Sequence, residues 1–140
     1  MPYNVWSGTD YLKNMDGMTT SPTIESESSL DWSSNHERSI KITSTVEGYA
    51  AIYFPEATGL TPSETLQATI KILNNSGKNC QLRLMENENG TYNSVDIVSN
   101  VNPQKITISR TISTTSLQII IILRVPELTV YIDDVQLTAQ

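Results

Sequence analysis

The sequence is poor in the residues that build cross-linked or catalytic sites. It holds a single cysteine, Cys80, so no internal disulfide can form; the cross-linked framework of many small secreted domains is excluded, while the compartment stays open. It holds a single histidine, His36 in "SSNHERS", with no second histidine or cysteine at metal-ligand spacing, and the residue reads as a solvated loop side chain. Cations are scarce as well: nine Lys and Arg stand against fifteen Asp and Glu, a net charge of −6. That balance argues against a nucleic-acid groove or an anionic membrane surface, both of which ask for clustered Lys and Arg, and it fits neutral or cationic partners. No window holds the roughly 18 apolar residues of a membrane span. The start, "MPYNVWSGTDYLKN", lacks the basic lead and apolar core expected of a signal peptide. There is no Gly-rich phosphate loop and no "GxSxG" elbow. The acid pairs Glu25/Glu27 and Glu86/Glu88 lie in polar, loop-like stretches with nothing to set them across a cleft. An enzyme is therefore not expected.

What the chain does have is alternation. "RSIKITSTV" sets Ile40 and Ile42 on one side and Lys41 on the other. "TLQATIKIL" sets Leu66, Ala68, Ile70 and Ile72 against Gln67, Thr69 and Lys71, and "CQLRLM" sets Cys80, Leu82 and Leu84 against Gln81, Arg83 and Met85. Period two with one apolar face is the pattern of a half-buried strand, and it makes Cys80 a small buried hydrophobe. "QKITISRTI" alternates too, whereas "SLQIIIILRV" is apolar on both faces, as expected of a mid-sheet strand covered on both sides. Turn-forming clusters such as "EATGLTPSE", "NNSGKN", "NENGTYN" and "SNVNP" separate these runs. No stretch carries a convincing helical period; "TPSETLQATI" contains a capping-box look-alike at Thr61 and Glu64, which the alternation after it outweighs. The 140 residues read as one domain spanning 1–140, an all-β antiparallel sandwich. Its irregular lobe is expected over residues 1–35 and its compact core from about Glu37 onward.

The last run, "LTVYIDDVQLTAQ", places Asp133 and Asp134 side by side in a strand. With unbroken alternation Asp133 shares a face with Tyr131, Val135 and Leu137, so its carboxylate is expected to be at least partly buried, hence paired or metal-bound. Pairing with Arg38, capping of backbone amides and metal binding all meet that need.

"VYIDDVQL" closing a β-sandwich resembles the final strand of carbohydrate-binding modules of the family 4, 9 and 22 type, the galactose-binding-like jelly roll. "WSSNHERSIKIT", "LTPSETLQATIKIL" and "NCQLRLMENENGTYN" follow in the order of that superfamily's early strands and hairpin, and "YNVWSGTDYLKN" is similar to the opening of modules appended to phage tail and baseplate proteins. The resemblance implies a structural calcium anchored by the first Asp of the final strand: here Asp133, with Asp10 as the N-terminal carboxylate and a carbonyl near Arg38 as a neutral ligand. Such a set of hard oxygens from separate segments suits calcium.

The resemblance also implies a non-catalytic module that binds an oligo- or polysaccharide, as part of a larger extracellular or virion protein; the rival is an assembly or host-recognition module of a phage tail that binds no sugar. Sugars are held by aromatic rings and planar polar side chains. Among Trp6, Trp32, Tyr49, Tyr53 and Tyr92, Trp32 is the preferred exposed ring, Tyr92 is the second candidate, and Trp6 reads as core packing. Gln67, Lys71, Gln81 and Arg83 are read as one polar face on neighbouring strands, serving either as a ligand groove or as a solvated sheet surface. The low aromatic content, 6%, keeps the rival open.

Overall fold

The computed structural model describes residues 2–6, 12–14, 23–26, 40–43, 50–54, 56–123 and 128–139, with side chains at 43, 51–54, 56–123, 128–132 and 135–139. These residues form eleven strands and no helix. β1 (Pro2–Trp6), β2 (Leu12–Asn14), β3 (Thr23–Ser26), β4 (Ile40–Thr43) and β5 (Ala50–Tyr53) are short; β6 (Thr65–Leu73), β7 (Cys80–Glu86), β8 (Thr91–Ile97), β9 (Gln104–Thr111), β10 (Gln118–Leu123) and β11 (Thr129–Ala139) are longer. Every pairing is antiparallel. One sheet runs β3-β4-β11-β6-β9, with β1 also beside β11; the other runs β2-β5-β10-β7-β8.

The two sheets exist because their alternating strands each carry one apolar face. β6 turns Leu66, Ala68, Ile70 and Ile72 inward, β7 turns Cys80, Leu82 and Leu84 inward, and β10 adds Ile119, Ile121 and Leu123, all within one buried cluster. Burying each Leu or Ile side chain contributes about 1.5–3 kcal/mol, so this interface dominates the stability of the fold. β10 is buried at all six positions and lies mid-sheet between β5 and β7, as its unbroken apolar run requires. Its outward residues Ile120 and Ile122 join Ala51 in a second buried cluster, against which Tyr53 and Met85 pack.

Two features depart from the sequence reading, and a third, at the capping-box look-alike, agrees with it. Residues 1–35 are not simply an irregular lobe: β1 pairs with β11, β2 with β5 and β3 with β4. They are three to five residues long, too short for period two to stand out. The capping-box look-alike opens no helix. Ser63 takes φ 77°, which ends any right-handed turn, and its amide donates to the Ile112 carbonyl at 2.8 Å to bring the chain into β6. The second departure is in β11. Asp133 is in register with Lys71 and Gln136 with Thr69, so β11 advances three positions while β6 advances two. That is a β-bulge, and one extra residue reverses which parity faces the core. Accordingly Val130 and Ile132 are buried before it, Val135 and Leu137 after it, while Tyr131 is only half-buried. The expectation that Tyr131, Val135 and Leu137 share a face is overturned, and the two aspartates stand where the strand changes parity.

The hairpin joining β7 to β8 shows how turn chemistry sets register. Gly90 takes φ 73°, a left-handed conformation open to glycine at little cost, and its amide donates to the Glu86 carbonyl at 2.8 Å. Seven residue pairs then follow in step, from Glu86 opposite Thr91 to Cys80 opposite Ile97.

Candidate functional site

Register fixes what stands on the outer face of the second sheet. Arg83 is flanked by Ile120 on β10 and Ser94 on β8, Gln81 by Ile122 and Asp96, and Met85 by Gln118 and Tyr92. Residues directly opposite in antiparallel strands share a face. A polar strip of Gln81, Arg83, Tyr92, Ser94 and Asp96 therefore borders the buried apolar strip of Ile120, Ile122 and Ala51.

Within this strip Arg83 is held from two directions. One of its terminal nitrogens donates to Gln81 Oε1 at 2.7 Å, and its guanidinium carbon lies 4.0 Å from the centre of the Tyr92 ring, close enough for cation–π attraction. Its Nε is enclosed and has no hydrogen-bond partner among the described residues. An unpaired buried donor costs about 1–3 kcal/mol. Tyr92 stays 46% exposed. The two acids at the end of the same hairpin have other partners: Glu86 is bound by Arg110, and Glu88 accepts from Thr115 Oγ1 at 2.5 Å.

At the Met85 end the face is closed by a chain of amides. Gln118 donates to the Phe54 carbonyl at 2.7 Å and accepts from Asn87 Nδ2 at 2.6 Å, and the same Asn87 nitrogen reaches Glu56 Oε2 at 2.5 Å. Ser94, Asp96 and Asn87 are side chains of this face that the sequence reading passed over. Period two was visible in "TYNSVDI", which sets Tyr92, Ser94 and Asp96 against Val95 and Ile97. The run is mostly exposed, so its apolar signal is weak.

The predicted polar residues divide between the two sides of the sandwich. Gln81, Arg83 and Tyr92 come together. Gln67 and Lys71 do not join them: β6 and β7 are consecutive in sequence but belong to different sheets, so the single polar face read across neighbouring strands is two faces pointing away from each other. Gln67 and Lys71 instead line a depression on the outer face of the first sheet. Trp32, Asp10 and Arg38, with Tyr49 and His36, lie outside the described residues; of Trp6 and Asp133 only the strand positions are described. Those positions are informative. β11 pairs with β4 up to Ile132, opposite Ile40, and with β1 from Val135, opposite Trp6. The start of β4 and the end of β1 therefore meet alongside the two aspartates. Among the described residues no three His, Cys, Asp or Glu side chains gather into a metal site.

Glu86 is the other charged feature of this end of the sandwich, and it is not the loop acid its sequence neighbourhood suggested. It closes β7 on the core side and is completely buried. Its Oε1 accepts from the amides of Ser113 and Thr114 at 2.8 and 3.0 Å and from Thr114 Oγ1 at 2.9 Å; its Oε2 accepts from Arg110 Nε at 2.5 Å. Arg110 also reaches Thr91 Oγ1 at 2.6 Å and Asn93 Oδ1 at 2.5 Å. Burial pushes the Glu86 carboxyl up, but the Ser113 amide, Arg110 and the Thr114 hydroxyl together outweigh it and hold it at about 2. A carboxylate so saturated cannot accept a proton near neutrality; it ties β7, β8 and β9 to the loop before β10. Cys80 is inert for the opposite reason, since burial pushes its thiol up to about 12.

No protein-family model matches the chain, and no curated protein sequence matches it. Solved structures do. The tailspike protein 4 enzymatically active domain of bacteriophage CBA120 aligns with a TM-score of 0.72 at 11% identity, over 94% of this chain and 20% of that one. TmCBM61, solved with β-1,4-galactotriose, aligns at 0.67 and 12% identity over 96% of this chain and 91% of the module. A family 35 carbohydrate-binding module from Clostridium thermocellum aligns at 0.64 and 14% identity over 100% and 99%. The chain therefore shares the antiparallel β-sandwich fold of these modules. Against the tailspike the chain spans about a fifth of the matched length.

Proposed function

We propose that this chain is a non-catalytic carbohydrate-binding module of a larger extracellular or virion protein. The observation that carries the reading is the fixed guanidinium of Arg83, held by Gln81 and stacked on the half-exposed Tyr92 ring. A planar group with several donors, locked before the ligand arrives, binds vicinal hydroxyls at little entropic cost. The exposed part of Tyr92 offers an apolar surface to sugar C–H groups, and Ser94 and Asp96 supply an added donor and acceptors along the same strip. Trp32 stays in the proposal as a rim ring. The fold likeness to TmCBM61, itself solved with galactotriose, supports an oligosaccharide as the class of ligand.

Calcium belongs to the same proposal as a structural ion. The fit rests on the change of partner along one edge of β11: β4 pairs with it up to Ile132 and β1 from Val135, so the end of β1, which leads to Asp10, and the start of β4, which follows Arg38, lie alongside Asp133. Asp133 and Asp10 would give carboxylate oxygens and the chain near Arg38 a carbonyl, and the ion would tie those strand ends to β11.

A second reading, a tail-assembly or host-recognition module without a sugar ligand, draws on the likeness to the phage tailspike. A glycan array followed by calorimetry with the best ligand separates the two. Arg83→Ala and Tyr92→Ala should each weaken binding tenfold or more while leaving the melting temperature within a few degrees. An array without binders, or binding that survives both changes, would favour the assembly reading or move the site elsewhere.

A further inference from the structure

The outer face of the other sheet holds a second concavity, and its chemistry differs from that around Arg83. Gln67, Thr69, Lys71, Lys105, Gln136 and Thr138 line a depression of about 310 Å³, within the usual range of ligand sites. A smaller one of about 190 Å³ adjoins it through Lys71 and Lys105 and ends at Pro103 and Gln104. The two form one groove across β11, β6 and β9. Register orders its floor in three rows: Thr138, Gln67 and Ser109; Gln136, Thr69 and Thr107; then Lys71 and Lys105.

The lysine row is unusual. Like charges directly opposite across a strand pair destabilise the sheet, yet Lys71 and Lys105 are placed so. Lys71 has a partner of its own within the chain. Lys105 is exposed, sits on the edge strand and makes no ion pair with a described residue. The available cation at this end of the groove is therefore Lys105. The remainder of the lining is amide and hydroxyl, groups that both donate and accept, with no aromatic ring for stacking. That combination recognises a hydroxyl-rich ligand that bears carboxylate. A chain of net charge −6 repels extended polyanions, which narrows the ligand to a short one.

We propose that this groove is a second site, independent of Arg83, that binds a carboxylate-bearing sugar, with Lys105 on the carboxylate and Gln67, Gln136 and Thr138 on the hydroxyls. Titration calorimetry of the 140-residue chain with trigalacturonate and with neutral galactotriose tests it, using wild type, Lys105→Gln, Gln136→Ala and Arg83→Ala. Trigalacturonate should bind wild type and Arg83→Ala alike, and at least tenfold more weakly to Lys105→Gln and Gln136→Ala. Whatever galactotriose binding occurs should ignore Lys105→Gln. Absence of trigalacturonate binding at millimolar concentration, its loss in Arg83→Ala, its survival in Lys105→Gln, or equal occupancy of the groove by inorganic phosphate alone would each overturn the proposal.

Discussion

Replacing Glu86 by Gln removes one charge from a place where the chain has arranged six hydrogen-bond donors around it, two of them, the Ser113 and Thr91 hydroxyls, at the longer distances of 3.5 and 3.3 Å. Gln keeps the shape but brings an NH₂ group that must face either Arg110 or the amides of Ser113 and Thr114, setting donor against donor. Breaking a buried ion pair from one side costs about 3–5 kcal/mol. The pH dependence gives an independent figure. The carboxyl falls from its ordinary 4.5 to about 2 on folding, and at about 1.4 kcal/mol per unit this gives an upper bound of about 3 kcal/mol. Arg110 keeps 16% of its side chain in solvent, and screening there brings the figure nearer 2 kcal/mol. Because the folded value lies below the unfolded one, this stability is fully present above about pH 4.5 and is lost as the pH falls through about 2. Urea denaturation of wild type and Glu86→Gln from pH 7 to 2 should show a gap of about 3 kcal/mol at neutrality that narrows by about 2 kcal/mol between pH 4.5 and 2. The fifteen acidic residues all contribute to acid unfolding, but the difference between the two proteins isolates this one. A gap that stays constant down to pH 2 would show that the carboxylate is not held by the donors described here.

Other expectations follow from burial and register. Ile120→Ala, on the outward face of β10, should cost about 2–5 kcal/mol, as much as Ile121→Ala on the inward face; a loss under about 1 kcal/mol in denaturant titration would mean that the outer face is open. Cys80 should resist a thiol reagent at pH 8 in the folded protein and react only as fast as the chain unfolds; rapid labelling of native protein would contradict its burial. If Asp133 anchors calcium, adding the ion to chelator-treated protein should raise the melting temperature, since it binds the native state alone. Asp133→Ala should abolish the rise, and a rise that persists in the variant would place the ion elsewhere.

The parts of the fold that could be read from the sequence are those where burial is one-sided and the strand is long. β6 and β7 alternate cleanly, buried against half-buried, and β10 is apolar throughout, so strand, face and central position all followed from periodicity. Sheet membership did not. Whether β7 continues the sheet of β6 or crosses to the other is decided by long-range pairing with β10 and β11, and nothing local to "NNSGKN" records it; hence alternation alone sets Gln67 and Lys71 on one face with Gln81 and Arg83. Glu86 was misjudged because its donors come from Arg110, Ser113 and Thr114, far along the chain, and a buried acid looks like an exposed one until its partners are placed. The Arg83 site was partly legible, since alternation fixed the side of Gln81 and Arg83, but the stacking on Tyr92 depends on the register of the β7–β8 hairpin.

The bulge in β11 lets the strand carry one residue more than simple alternation allows without turning a core side chain outward. Exchanging either aspartate for another residue leaves the count intact and keeps Val135 and Leu137 turned inward. Deleting one would remove the extra residue and with it the bulge, and Val130, Ile132, Val135 and Leu137 would then follow one another inward in unbroken alternation. Relatives that preserve this sandwich are therefore expected to carry either one residue or two at this place, so that a one-residue change of length is tolerated inside β11 as well as in the turns.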